Sequence, residues 1–383
     1  MQIKQSYDVA IIGGGLAGLS CAISLRKKGF DVVLLEKETY PFHKVCGEYI
    51  SLESWDFLQS LSVPLSYLKL PKIDTLFLTA PNGKSFTTKL PLGGFGISRY
   101  MLDHILANIA KELGVDVMEQ TKVNEVQFGK DFQLQFTSHT TKQTTLSAEV
   151  CCAAFGKRSN LDIKWRRQFL KNQDRRLDNF VGVKYHIRSG GDKNVIGLHN
   201  FKDGYCGISQ IEENKYCLCY MTRSENLRAC NNDVQELEEK VLMKNPHLEK
   251  ILSKRSVYPG FPITISQINF QKKTLVEEHI LMLGDAAGMI TPLCGNGMSV
   301  ALHTGKLGAA LITDYLGGDI NRDEMERLYH QQWKLNFDKR LATGRLLQRF
   351  FGSTSTSNAF VSLFNIFPKM AAPVVKMTHG KSF

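Results

Sequence analysis

An α/β fold with a discontinuous nucleotide-binding part is predicted by three features of this chain. The first 36 residues run strand, glycine turn, helix, strand; a strand–Gly–Asp segment recurs far downstream at 280–302; and strand patterns dominate 178–270 between them. A helix-flanked parallel sheet, interrupted by a sheet-rich insertion and followed by helices, accounts for all three.

Asp8-Val9-Ala10-Ile11-Ile12 is an apolar run of strand length, Gly13-Gly14-Gly15 is a turn, Leu16-Ala17-Gly18-Leu19 opens a helix, and Val32–Leu35 is the next strand, closed by Glu36. This is a Rossmann-like dinucleotide-binding unit. Gly13 permits the tight turn, Gly15 lets backbone approach a pyrophosphate, and Gly18 lets the helix pack closely on the strand. The helix start at Leu16 and Ala17 offers unpaired N–H groups and the positive end of the helix dipole to that pyrophosphate. Glu36, followed by Lys37, falls where a carboxylate accepts hydrogen bonds from a ribose diol.

The later elements follow in order. Alternating apolar positions over Leu76–Thr87, around Pro81-Asn82-Gly83, predict a β-hairpin. A helix entered through Ile97–Asp103 runs to about Leu113, with Gly114 ending it, and Val115–Val117 returns to strand. Segments 123–137 and 145–154 read as strands leading to Gly156-Lys157-Arg158-Ser159. Phe180–Ile187, Val195–Leu198, Gly204–Ile211 and Tyr216–Thr222 are further strands, with a helix near Val234–Lys244. Ile280–Leu283 is a buried strand running into Gly284-Asp285, a Pro/Gly loop and a helix over Met298–Ile312. The expected layout assigns 1–65, 96–165 and 275–320 to the nucleotide-binding domain, 66–95 and 166–274 to a substrate domain, and 321–383 to a C-terminal helical segment.

A chain of 383 residues with 43% hydrophobic side chains can bury a substantial core, which argues against whole-chain disorder. Lys4 precedes an apolar stretch, but Asp8 and the glycine fingerprint argue against a signal peptide. No uncharged apolar run reaches the roughly 18 residues of a spanning helix, so a cytoplasmic location is expected. Nine cysteines, an odd number without a C-x-x-C pair, point to reduced thiols rather than disulfides, zinc or an iron–sulfur cluster, and no metal site is expected. The net charge of +11 attracts phosphates, anionic lipid or an acidic carrier. After Asp338 the chain carries seven basic side chains and no acid, together with Phe360, Leu363, Phe364 and Phe367 at helical spacing. That pattern predicts a terminal helix packed on the core, or one in peripheral contact with the inner face of a membrane. The cluster Lys164, Arg166, Arg167, Lys171, Arg175 and Arg176 reads as a solvated face or one that steers NADPH or an acidic carrier. Nucleic-acid binding is not expected, because no recognition motif accompanies the charge.

Several motifs stand in a recognisable order: the N-terminal fingerprint, Lys44-Val45-Cys46-Gly47-Glu48, Arg99 with Asp103, Gly156-x-Arg158-Ser159, and Gly284-Asp285 with Pro292-x-x-Gly295-x-Gly297. Over roughly residues 5–350 the chain resembles the geranylgeranyl reductase family of FAD-dependent oxidoreductases, within the aromatic-hydroxylase-like flavoproteins. The resemblance implies a glutathione-reductase-type FAD-binding domain with an inserted substrate domain. It also implies FAD as cofactor, with Gly13, Gly15 and Gly18 at the pyrophosphate, Glu36 at the ribose, and Arg99 at the pyrophosphate or ribityl region. Gly284 and Asp285 would meet the ribityl hydroxyls, and Gly295, Asn296, Gly297 and Met298 the flavin ring. Lys44, Cys46 and Gly47 belong to the same cofactor-facing set. Phe155 stands where relatives often carry an Asp, which counts against that segment handling NADPH as hydroxylases do. No second nucleotide fingerprint is present, so the electron donor is either NAD(P)H bound transiently or a partner protein.

Cys46 is the candidate catalytic residue. In the prenyl reductases that this chain resembles, a cysteine in the same K-x-C-G context lies near the flavin, where a thiol can protonate one alkene carbon while reduced FAD delivers hydride to its neighbour. His43, Glu48 and Tyr49 are lesser candidates. Tyr205, Cys206, Tyr258, Phe261 and Pro292 are expected to line the substrate pocket. Three functions fit: a C=C reductase acting on a polyene, isoprenoid-like or aryl chain; a flavin monooxygenase, whether aromatic hydroxylase or epoxidase; and a quinone-linked electron-transfer flavoprotein. Trp55, Trp165 and Trp333 form no paired-Trp motif, which disfavours a halogenase.

Overall fold

The structure, a computed structural model, describes residues 4–139, 144–171, 179–189, 191–291, 295–350, 353–371, 373–374 and 380–383. Two eight-stranded sheets carry the molecule, as the α/β reading requires.

The first sheet is built on parallel strands in the order Ile280–Met282, Thr144–Ala153, Ser6–Ile12, Val32–Leu35 and Asp116–Met118. Val9 to Ile12 and Val32 to Leu35 are buried throughout, the unbroken apolar pattern of strands covered on both faces. A meander of Thr121–Phe128 and Phe132–Ser138 pairs antiparallel onto Thr144–Ala153. The fingerprint helix Leu16–Arg26 is buried at nine of its eleven positions, because it lies between this sheet and the long helix Gly297–Leu316. Their backbones approach so closely that a Cβ on Gly305 would overlap the Ser20 hydroxyl and stand 2.6 Å from the Ala17 carbonyl oxygen. Ser98 caps the helix Arg99–Glu112 by accepting from the Met101 N–H, and Gly114 closes it at φ +89°.

The second sheet runs Ile263–Ile268, Phe180–Ile187, Tyr216–Arg223, Gly204–Gln210, Val195–Phe201, Lys72–Thr79, Ser85–Gly96 and Tyr49–Ser51. All its pairings are antiparallel except that of Val195–Phe201 with Lys72–Thr79. The hairpin around Pro81-Asn82-Gly83 therefore joins the strands of 180–268, and so does Tyr49–Ser51, a segment placed with the nucleotide-binding part by sequence.

Helices Arg322–Trp333, Lys339–Phe350 and Thr354–Ile366 close the chain, the first two linked by a π-helical turn at Lys334–Asp338. None of the described helices is long and apolar enough to cross a membrane. One charge reading and one apolar-face reading need correction. Arg167 is not part of a solvated face: it is fully buried, bonded to Asp162 at 2.8 Å and to the Thr274 carbonyl at 2.8 Å. Lys164, Arg166 and Lys171 are exposed, whereas Arg175 and Arg176 lie outside the described residues. In the terminal helix, the face expected over Phe360, Leu363, Phe364 and Phe367 splits. Phe364 and Val361 are buried, while Leu363 and Phe367 are exposed. The helix meets the core through Ser357, Val361 and Phe364, a stripe rotated from the one the spacing suggested.

Candidate functional site

A cavity of about 1470 Å³ lies between the sheets, larger than the roughly 300–1000 Å³ that holds one drug-sized ligand. Its nucleotide-binding side is made by the fingerprint turn, Glu36–Glu38, the loop Phe42–Tyr49, Arg99, Ala154–Asn160 and Leu283–Asp285. Its opposite side is one face of the second sheet, including Leu76, Leu198, Tyr205, Met221 and Ile265.

The glycine turn has a distinct reason at each position. Gly13 sits at φ +105°, and a Cβ there would stand 2.6 Å from the Ala154 carbonyl oxygen. Gly18 meets the Gly13 carbonyl directly and serves packing; it does not line the cavity. A Cβ on Gly15, by contrast, would enter open space, with only Arg99 Nη2 at 3.6 Å and Lys44 Nζ at 3.7 Å. A helix start, bare backbone and two cations thus converge on one spot, the chemistry a pyrophosphate requires. Gly14, unassigned by sequence, must be glycine because Tyr40 Oη bonds its carbonyl at 2.6 Å and fills the space of a side chain. Glu36 accepts from the Gly14 N–H at 2.7 Å and the Glu38 N–H at 3.1 Å, so the turn itself orients the carboxylate.

Arg99 and Lys44 are held by Asp103, which is 1% exposed. Arg99 Nε and Nη2 reach its two oxygens at 2.7 Å each, and Lys44 Nζ donates at 3.0 Å. Burial alone would raise the Asp103 pKa, but the two cations outweigh it and keep the carboxyl ionised. One carboxylate shared by two cations leaves net positive charge facing the cavity.

Behind the Lys44–Glu48 loop is a second buried cluster. Glu48, fully buried and at φ +56°, accepts from Lys184 Nζ at 2.5 Å and from the Arg99 backbone N–H at 2.8 Å, with His186 Nε2 at 2.6 Å from its other oxygen. Lys184 also donates to the Lys44 carbonyl at 3.1 Å. Burial pushes the Glu48 pKa up, yet Lys184 and His186 bring it down to about 2. Sequence reading missed Lys184 and His186. Their signal was two polar residues, two apart, in the apolar strand Phe180–Ile187, where alternation puts both on one face. Glu48, His186 and Cys217 bring ligand-type atoms within 4.8 Å of one another, but a divalent cation there would abut the Lys184 ammonium.

Cys46 is half-buried at the cavity wall, and its carbonyl accepts from the Cys217 thiol at 3.3 Å. Burial raises its pKa despite the nearby Arg99 charge, so the group is a protonated thiol at neutral pH. Lys157 lines the same cavity, and burial lowers its ammonium to about 8, with Asp285, Cys219 and Cys46 opposing the shift. Burial raises the Asp285 carboxyl against Lys273, Lys157 and Arg99.

Of the residues singled out in the sequence, Gly13, Gly15, Leu16, Ala17, Glu36, Lys37, Lys44, Cys46, Gly47, Arg99, Gly284, Asp285, Gly295, Gly297, Met298 and Tyr205 line the cavity. Asn296 is buried at the start of the long helix without lining it. Three pocket expectations need correction. Cys206 does not line the cavity and is buried in a core with Tyr185 and Leu218, as its neighbour Tyr205 takes the cavity side. Phe261 packs behind the loop against His43 and His186 at 4.9 and 4.6 Å, and Tyr258 lies under Arg188 at 4.4 Å. Pro292 lies outside the described residues.

The two-sheet architecture, the glycine cradle and the distant Gly284-Asp285 meeting it define a flavin-dependent oxidoreductase. The chain belongs to the FAD binding domain family, whose profile matches residues 6–320. It is 25% identical over 349 residues to a digeranylgeranylglycerophospholipid reductase of Methanococcus vannielii, spanning 87% of this chain and 83% of that protein. It is 24% identical over 367 residues to conditioned medium factor receptor 1 of Dictyostelium discoideum, spanning 90% of this chain and 70% of that one. Among solved structures, the flavin-dependent brominase Bmp2 superposes with a TM-score of 0.79 at 17% identity, covering 99% and 94% of the two chains. The geranylgeranyl reductases are thus among the chain's relatives, the family shown is the FAD binding domain family, and FAD is the cofactor.

Proposed function

We propose that this oxidoreductase reduces carbon–carbon double bonds in a hydrophobic polyene or isoprenoid-like chain, with NAD(P)H or a partner protein as electron source. The supporting observation is the position of the protonated Cys46 thiol, where the cationic nucleotide cradle gives way to the apolar face of the second sheet. FAD, when bound and reduced, supplies hydride to one alkene carbon.

The chain's own residues supply the rest. Arg99 and Lys44, steadied by Asp103, bind the pyrophosphate with the Gly15 backbone, and Glu36 orients toward the ribose. Glu48 and Lys184 fix the loop that carries Cys46. Leu76, Leu198, Met221 and Ile265 exclude water from the alkene, and the Cys46 Sγ–H holds the proton for its second carbon. A raised thiol pKa suits a proton donor and disfavours a nucleophile.

The test is anaerobic. Protein reduced with dithionite and mixed with polyene lipids is expected to regain its oxidised flavin spectrum as the alkene is saturated, without O2. An oxygenated product formed only after air is admitted would replace this reading with a monooxygenase. Reoxidation by quinone but by no alkene would replace it with an electron-transfer flavoprotein.

A further inference from the structure

The terminal helix Thr354–Ile366 has two apolar faces, and its buried one reaches the cavity wall. Val361 and Phe364 share a core with Tyr205, Met221, Ile268 and Met289, all of which line the cavity, so this helix stands between the cavity's apolar side and solvent. It is anchored to the hairpin turn by Asn365 Nδ2 donating to the Ser85 carbonyl at 3.1 Å and by the Phe86–Phe364 ring contact at 5.4 Å. Its outer side exposes Leu363 (37%) and, one turn on, Ile366 (68%), and just past the helix end Phe367 (53%) and Met370 (48%), the latter in the turn Pro368–Met370, extend this exposed apolar ridge.

The charge carried by this segment and by the turn beside it has one sign. No acid occurs between Asp338 and the C-terminus, nor in the facing turn Ala80–Leu90. Lys369 and Lys84 are exposed beside the ridge, the latter tied to Ser362 at 3.4 Å. A second copy of this chain meeting the ridge would set lysines against lysines. An anionic lipid surface satisfies both the apolar ridge and its cationic flank.

We propose that the segment Thr354–Met370, with the hairpin turn beside it, docks on an anionic bilayer. Leu363, Ile366, Phe367 and Met370 enter the acyl boundary, and Lys84 and Lys369 face the head groups. The benefit of this arrangement rests on the hydrophobic-substrate reading above, since it sets the cavity's apolar wall next to a reservoir of membrane-dissolved chains; the docking itself does not depend on it.

The FAD-loaded 383-residue chain is sedimented with phosphatidylcholine vesicles with and without phosphatidylglycerol. Binding is expected on the anionic vesicles and is expected to fall as salt is raised. The double variant Ile366→Ser, Phe367→Ser should bind roughly tenfold more weakly, with flavin content and melting temperature unchanged. Lys369→Glu should weaken binding to anionic vesicles alone. The proposal is overturned if the wild type stays in the supernatant, if the double variant binds as well as the wild type, or if the ridge substitutions dissociate a dimer and leave vesicle binding untouched. Reoxidation of the reduced flavin by a short, water-soluble alkene is measured on the same samples, so a failure of the reductase reading is scored separately.

Discussion

At the scale of single residues, two side chains of the Lys44–Glu48 loop have different tasks. In the proposed reduction Cys46 supplies a proton, so Cys46→Ser, whose hydroxyl is a far poorer acid, should lower alkene-dependent turnover by about 10²–10⁴-fold while leaving FAD affinity unchanged. Steady-state kinetics beside a flavin titration checks this, and unaltered turnover would end the assignment. Glu48 acts through others. Glu48→Gln leaves Lys184 charged, buried and unpaired, which should cost about 3–5 kcal/mol in denaturant unfolding. Glu48→Gln with Lys184→Met removes both charges and should recover most of that loss. If the double variant is no more stable than the single one, the ion pair is not what fixes the loop.

At the scale of elements, the glycine turn separates binding from folding. Gly15→Val would fill the open space facing Arg99 and Lys44, so FAD affinity should fall on the order of tenfold or more, with the apoprotein's unfolding midpoint nearly unchanged. Gly18→Ala drives a methyl into the Gly13 carbonyl, and should destabilise the apoprotein itself by about 1–3 kcal/mol. Flavin fluorescence titration and urea unfolding of both variants distinguish the two roles. The first strand, helix and second strand were legible because tight turn, buried strand and helix start are local demands written on consecutive residues. The terminal helix was legible as an element but not in orientation: a stripe through Phe360, Leu363, Phe364 and Phe367 and one through Ser357, Val361 and Phe364 overlap at Phe364, and packing on Phe86 and Met289 chose the second. Cys206 failed as a pocket residue for a related reason. Adjacent strand residues point oppositely, so Tyr205 and Cys206 cannot both face one cavity.

For the whole molecule, buried titratable groups predict acid sensitivity. Burial holds His43 at about 4 and His199 at about 3, against roughly 6.5 for an unfolded histidine. Below about pH 6.5 the unfolded chain therefore binds protons that the folded chain refuses, and stability should decline. Glu48 adds to this lower down. Its carboxyl is depressed to about 2, so the stability it lends is complete above the usual carboxylate range and is lost as pH falls toward 2. Melting temperatures should thus drop from pH 7 to 5 and more steeply below about 4.5. A flat profile across that interval would contradict the burial of these groups.

What the sequence determined by itself were the features whose cause is local: the nucleotide-binding turn, the acid closing the second strand, the strand–Gly–Asp segment and the thiol in its K-x-C-G context. Only the tertiary structure decided that Lys184 and His186 stand behind that thiol, that Asp103 divides its charge between Arg99 and Lys44, and that the terminal helix backs the cavity. The physical reason is separation along the chain: Lys184 lies 136 residues from Glu48, and no periodicity within a strand names the distant carboxylate that its ammonium will meet.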